Sequence, residues 1–283
     1  MTIVTCVASA LERRRRLPAV ATGDVLPAAL RRPLLVAFAA SGDRAMEARR
    51  LRGIRHRSTA ASRACHARRD AWREILLVGG IVSSLLYAAM IWTIRYEGYS
   101  LISQVPSELT AIGAPTRTLW MWLGAFYTVL SAAFGFGIWK AAGNRAARTA
   151  GGLILLYSSL GLLWPFAAMH QREVLAAGGA TWSDTAHLVL GGVTVFAMLL
   201  VLGFGAAAFG RRFRLYSIAS VAVLVAFGGL TFLEAPGVQA NLPTPWIGLW
   251  ERLDISVFLL WVAVLAIAQL RGLNSEQQRF RRG

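Results

Sequence analysis

Three side chains are spaced so that they could hold a metal ion. His170 closes one apolar stretch, and Asp184 and His187 open the next. Asp184 and His187 are three residues apart, so on a helix they share a face. With His170 they offer two imidazoles and a carboxylate, a set suited to zinc with one position open for an activated water. A catalytic site of that kind would make the protein a metal-assisted hydrolase acting on lipid-like substrates. The structural alternative is that Asp184 or Ser183 simply caps a helix, since a carboxylate is favoured at the positive end of the helix dipole. Around this set lies a rim of further polar groups, Glu108, Glu234, Glu251, Arg252 and Asp254, which are the candidate binding residues. Glu108 can pair with Arg172 or Arg252 as a structural latch, and an Arg–carboxylate pair near a membrane boundary is less screened than one in bulk water. Pro106-Ser107-Glu108 reads as the capped start of a short helix across the mouth of a bundle.

The elements that must position these groups are six uncharged apolar stretches, Ile75–Ile94, Leu119–Trp139, Ala150–Met169, Leu188–Gly210, Leu215–Leu233 and Ile255–Leu270. A membrane-crossing helix needs roughly 20 apolar residues, and a buried helix of a soluble protein rarely stays apolar on every face for that long. The sixth stretch is short, and Leu253 and Asp254 can extend it into the headgroup region. The expected fold class is therefore all-α, an integral membrane bundle of six transmembrane helices spanning residues 71–283 with a short basic C-terminal tail. Pro165 is expected to kink the third helix near its end. Gly79, Gly80, Ser83, Ser84, Gly228 and Gly229 offer small faces for close helix packing.

The net charge of +16 would suggest nucleic acid if read alone, but the charges are sorted by side. Lys140, Arg145, Arg148, Arg211, Arg212, Arg214, Arg271, Arg279, Arg281 and Arg282 against Glu276 alone fall in alternate connections and the C-terminus, while the other connections hold Arg95, Arg117, Arg172 and Arg252 against Glu97, Glu108, Glu173, Asp184, Glu234, Glu251 and Asp254. The positive-inside rule then places both termini in the cytoplasm of a multi-pass cell-membrane protein, with the loops after the first, third and fifth helices facing outward. Membrane lipids are the expected partners. The oligomeric state is not legible.

Residues 1–70 are rich in Ala and Arg without sustained apolar periodicity, so they read as a disordered cytoplasmic tail. Arg44–Arg57 could alternatively lie on anionic lipid as a basic helix with Met46, Leu51 and Ile54 as a thin apolar stripe. Nucleic-acid binding is not expected, because Phe38 is the single aromatic before Trp72 and offers no stacking platform. Cys6 and Cys65 both lie in this tail, so no disulfide is expected. No Asp, Glu, Lys, Arg or His lies near the middle of any apolar stretch, which argues against an ion-coupled transporter. His170 and His187 both lie at one rim, which excludes a haem stack crossing the bilayer.

Ser107-Glu108-Leu109, Gly113-Ala114-Pro115-Thr116-Arg117, the His at each end of the second outward loop, and Gly248-Leu249-Trp250-Glu251-Arg252 together resemble the bacterial and archaeal membrane proteins of the domain of unknown function 998 family. The resemblance runs from about Trp72 to Leu270 and implies a six-helix membrane protein without an established activity. The leading functional expectation is a non-enzymatic or uncharacterised integral membrane protein whose outer mouth engages a lipid or small hydrophobic molecule. A zinc hydrolase at that mouth and a carrier for a hydrophobic solute are the two alternatives.

Overall fold

The computed structural model describes Arg68 and residues 71–282, so the expectations for the N-terminal tail and for Cys6 and Cys65 lie outside the described residues. Trp72–Gly283 form one compact unit. Among the described residues six helices are long and apolar enough to cross a membrane. They are α1 (Ala71–Thr93), α2 (Arg117–Ala141), α3 (Arg145–Leu160), α4 (Trp182–Ala208), α5 (Arg211–Gln239) and α6 (Ile247–Arg282). In a bilayer core every backbone N–H and C=O must be satisfied internally, and only a helix does that within one segment. The expected all-α bundle is what the described residues form.

The turns at one end are tight. Ala142–Asn144 joins α2 to α3, where the Asn144 side chain accepts the Ala147 N–H at 2.8 Å and caps the helix. Phe209 and Gly210 alone separate α4 from α5. The other end is built up into a cap from three longer connections. The first, residues 94–116, contains a 3-10 helix at Pro106–Thr110. The second, residues 161–181, contains a 3-10 helix at Trp164–Phe166 and a single helical turn at Arg172–Ala176. The third is residues 240–246. The Ile112 N–H donates to the Met169 carbonyl at 2.8 Å, tying the first connection to the second.

Two expectations are corrected. Pro165 does not kink α3: the helix ends at Leu160, and Pro165 sits inside the Trp164–Phe166 turn, where its missing N–H is no loss. The sixth helix is not short, because it begins at Ile247 and carries Glu251, Arg252 and Asp254 inside it.

Neighbouring helices approach through small residues. Gly135 of α2 and Gly151 of α3 face each other so closely that a Cβ on Gly151 would meet the Trp139 backbone nitrogen at 2.5 Å. A Cβ on Gly80 of α1 would fall 2.6 Å from the Phe134 ring, as the small face of α1 foretells. The interior is filled largely from α6, whose Phe258, Trp261, Leu265 and Ala266 are fully buried against α2, α3, α4 and α5. Trp261 lies on Gly205 and donates its indole N–H to Ser217 Oγ at 2.8 Å. By contrast α5 leaves Leu215, Ile218, Val225, Phe232 and Leu233 uncovered, the surface of a helix solvated by lipid.

Candidate functional site at the capped end

Two arginines organise the cap. Arg252, on the second turn of α6, is completely buried. Its Nε donates to the Ile91 carbonyl at 2.7 Å, and its Nη1 donates to the carbonyls of Leu101, Gln104 and Gly248 at 2.8, 2.9 and 2.9 Å. Its Nη2 donates to the Tyr99 hydroxyl at 2.6 Å, and that hydroxyl donates in turn to Val105 O at 2.8 Å. Burial pushes the Tyr99 phenol above its ordinary range, partly offset by the neighbouring guanidinium. Gly248, one turn before Arg252, lets the first connection press onto α6, since a Cβ there would meet the Gln104 carbonyl oxygen at 2.2 Å. The Gly248–Arg252 segment therefore closes α6 against α1 and the first connection. A planar five-donor head suits this role, because no other cationic side chain reaches so many fixed carbonyls at once.

Arg172 is the second hub. It forms a close ion pair with Glu108, its Nε donating to Oε1 and its Nη2 to Oε2, the latter at 3.0 Å. Its remaining donors reach Thr244 Oγ1 at 2.8 Å and the Ser103 carbonyl at 2.9 Å. Glu108 is fully buried and also accepts the Val105 N–H at 2.8 Å, capping the 3-10 helix it belongs to. One guanidinium thus joins all three connections. Of the two partners open to Glu108 in the sequence, Arg172 is the one it takes.

The proposed zinc ligands come only partly together. His170 Nδ1 lies 2.9 Å from Asp184 Oδ2, and the His170 backbone N–H donates to Asp184 Oδ1 at 2.7 Å. Asp184 also accepts the Thr181 N–H at 2.8 Å, completing a capping box at the start of α4. His187 instead donates from Nδ1 to the Ala167 carbonyl at 2.8 Å and meets the Trp164 ring edge-on at 5.0 Å. Among the described residues no group of three or more His, Cys, Asp or Glu side chains is placed to hold a metal ion. Glu234 braces the end of α5 to α6, accepting the Trp246 N–H at 3.3 Å and the Trp250 indole N–H at 3.2 Å.

Glu251 and Asp254 are placed differently. Asp254 is 5% exposed, and its Oδ1 has no hydrogen-bond partner among the described residues. Three tyrosines, one each on α1, α2 and α3, come together with no spacing signal in the sequence. Tyr127 and Tyr157 join hydroxyls at 2.8 Å, and the Tyr87 ring lies 4.5 Å from that of Tyr127. Thr244, Ser103 and Tyr99 are likewise hydrogen-bonding parts of the cap that composition alone does not mark.

The family described as "Protein of unknown function (DUF998)" matches residues 77–268. No curated protein and no solved structure matches the chain.

Proposed function

The chain belongs to the DUF998 family and is a multi-pass membrane protein, and from that premise we propose that its capped end faces outward and engages a lipid or small hydrophobic molecule. The observation that supports this reading is the contrast within the cap. Its centre is fixed by Arg172 and Arg252, while its rim leaves Ile102, Phe166, Trp182, Leu242 and Trp246 uncovered. A rigid frame that holds large apolar side chains uncovered provides a surface for an apolar partner. The hydrolase alternative draws less support, since Asp184 spends both oxygens on the backbone and on His170, and His187 is turned to a carbonyl.

Orientation is tested by labelling with a membrane-impermeant thiol reagent on intact cells. Ala177→Cys and Gln239→Cys should react from outside and Gly143→Cys should not, because the basic connections belong inside. All three positions are exposed, so a reversed pattern refutes the orientation.

Engagement is tested on delipidated protein in detergent, melted with 2-phenylethanol or with dioleoylphosphatidylethanolamine. At least one should raise the Tm, and Phe166→Ser combined with Leu242→Ser should remove the shift. A Tm indifferent to both probes overturns the reading.

A further inference from the structure

Asp254 and Glu251 stand one turn apart on α6, so they project from one side of the helix. Asp254 is buried with Oδ1 unpartnered, and Glu251 is half-buried one turn closer to the cap. Carboxylates taken out of water and left unpaired are costly, and in membrane proteins such groups mark substrate and ion pathways or serve as counter-ions to a ligand. The cations near them are already engaged. Arg252 is held by four carbonyls and Tyr99, and Arg172 by Glu108, Thr244 and Ser103. Lys140, Arg145, Arg148 and Arg211–Arg214 belong to the opposite end of the bundle.

The surroundings select the kind of cation. A tyrosine group lies against α6 one turn beyond Asp254: the Tyr157 ring packs 5.0 Å from that of Phe258, Tyr157 and Tyr127 join hydroxyls, and the Tyr87 ring lies tilted 4.5 Å from that of Tyr127. Aromatic faces attract a cation, most strongly where water is excluded. On the other side Asp254 is directed at α5 where that helix is bare: a Cβ on Gly228 would find only the Asp254 carboxyl within 4 Å, at 3.6 Å, and one on Gly229 would find nothing. A carboxyl directed at a bare helix face, with phenol rings nearby, suits an ammonium head carrying an apolar body. A small hydrated metal ion would want more oxygen ligands than are placed here.

We infer that Asp254 and Glu251 form the charge-recognising part of a site for a lipophilic organic cation, a protonated amine with an aromatic or aliphatic body. The inference rests on the reading that the capped end engages a hydrophobic molecule, and it names the chemical class of that molecule.

The test melts the full chain in detergent with 2-phenylethylammonium, with its neutral isostere 2-phenylethanol, and with sodium chloride at equal concentration. The ammonium should raise the Tm well above either control. Asp254→Asn should weaken its apparent affinity at least about tenfold, the loss expected when one charge-assisted contact is removed. Asp254→Asn removes a buried unpaired charge, so it should fold at least as well as the parent. Gly228→Leu, which fills the bare stretch of α5 facing Asp254, should also block the ammonium. Equal shifts for ammonium and alcohol overturn the inference while leaving the hydrophobic-molecule reading standing. An equal shift from sodium chloride overturns the inference in favour of a plain cation site. No shift from the ammonium overturns it as well, and if the alcohol and the lipid also fail, the broader reading falls with it.

Discussion

Arg252→Leu is expected to be among the most damaging single changes in the chain, costing about 3–5 kcal/mol of stability, as when one partner of a buried charged network is removed. The guanidinium is fully buried and donates to the carbonyls of Ile91, Leu101, Gln104 and Gly248 and to the Tyr99 hydroxyl. Leucine fills some of the volume but leaves those oxygens facing an apolar side chain, and each unsatisfied group costs about 1–3 kcal/mol. Arg252→Lys keeps the charge and should recover less than half of the loss, because one ammonium cannot span carbonyls fixed on two sides of a planar fork. Thermal melting followed by tryptophan fluorescence checks this, with Arg271→Leu as the control on an exposed arginine of the same helix. Equal Tm values for Arg252→Leu and the control would show that the cap does not depend on this clasp.

That role explains where the sequence was readable and where it was not. The six spans are legible because a bilayer forces long uncharged runs: the second, fifth and sixth stretches lie within their helices, the first and fourth end one and two residues past theirs, and the third runs on beyond Leu160 into the Trp164–Phe166 turn. The start of α6 is not legible in the same way. Glu251, Arg252 and Asp254 look like the loop before a span, since hydropathy treats charge as a boundary. Arg252 escapes that logic because the first connection folds over it and replaces water with its own carbonyls. Pro236 is tolerated within the last turn of α5 because a proline so near the helix end gives up a single helix bond, and the chain continues to Gln239 before it turns.

Within the candidate site, legibility follows the strength of the signal. Glu108 and a basic partner can be foreseen from opposite charges at one boundary, although Arg172 and Arg252 are equivalent in sequence. His170 and Asp184 do meet, and Asp184 does cap α4, so the catalytic and structural readings of that carboxylate share one geometry. Ser103 and Thr244 carry no signal, since their approach spans 141 positions of chain and depends on the whole bundle closing.

The pairing of Glu108 with Arg172 should behave as a coupled unit. Glu108→Gln alone leaves the Arg172 guanidinium nine-tenths buried without its counter-charge, and Arg172→Gln alone leaves the Glu108 carboxylate in a site with no exposure. Each single change is expected to cost about 3–5 kcal/mol, as when one member of a buried pair is removed. The double change removes both charges together, and two facing amides can keep a hydrogen bond, so it should cost less than the sum by at least about 1 kcal/mol. The location of the damage is as specific as its size. Because Arg172 also holds Thr244 Oγ1 and the Ser103 carbonyl, Arg172→Gln should speed amide exchange in residues 99–111 and 240–246 together. The Gly135–Gly151 contact between α2 and α3, whose close approach owes nothing to the cap, should keep its protection. Additive single and double costs, or loss of protection spread evenly over all six helices, would mean that Glu108 and Arg172 are separate buried charges rather than the joint between the three connections.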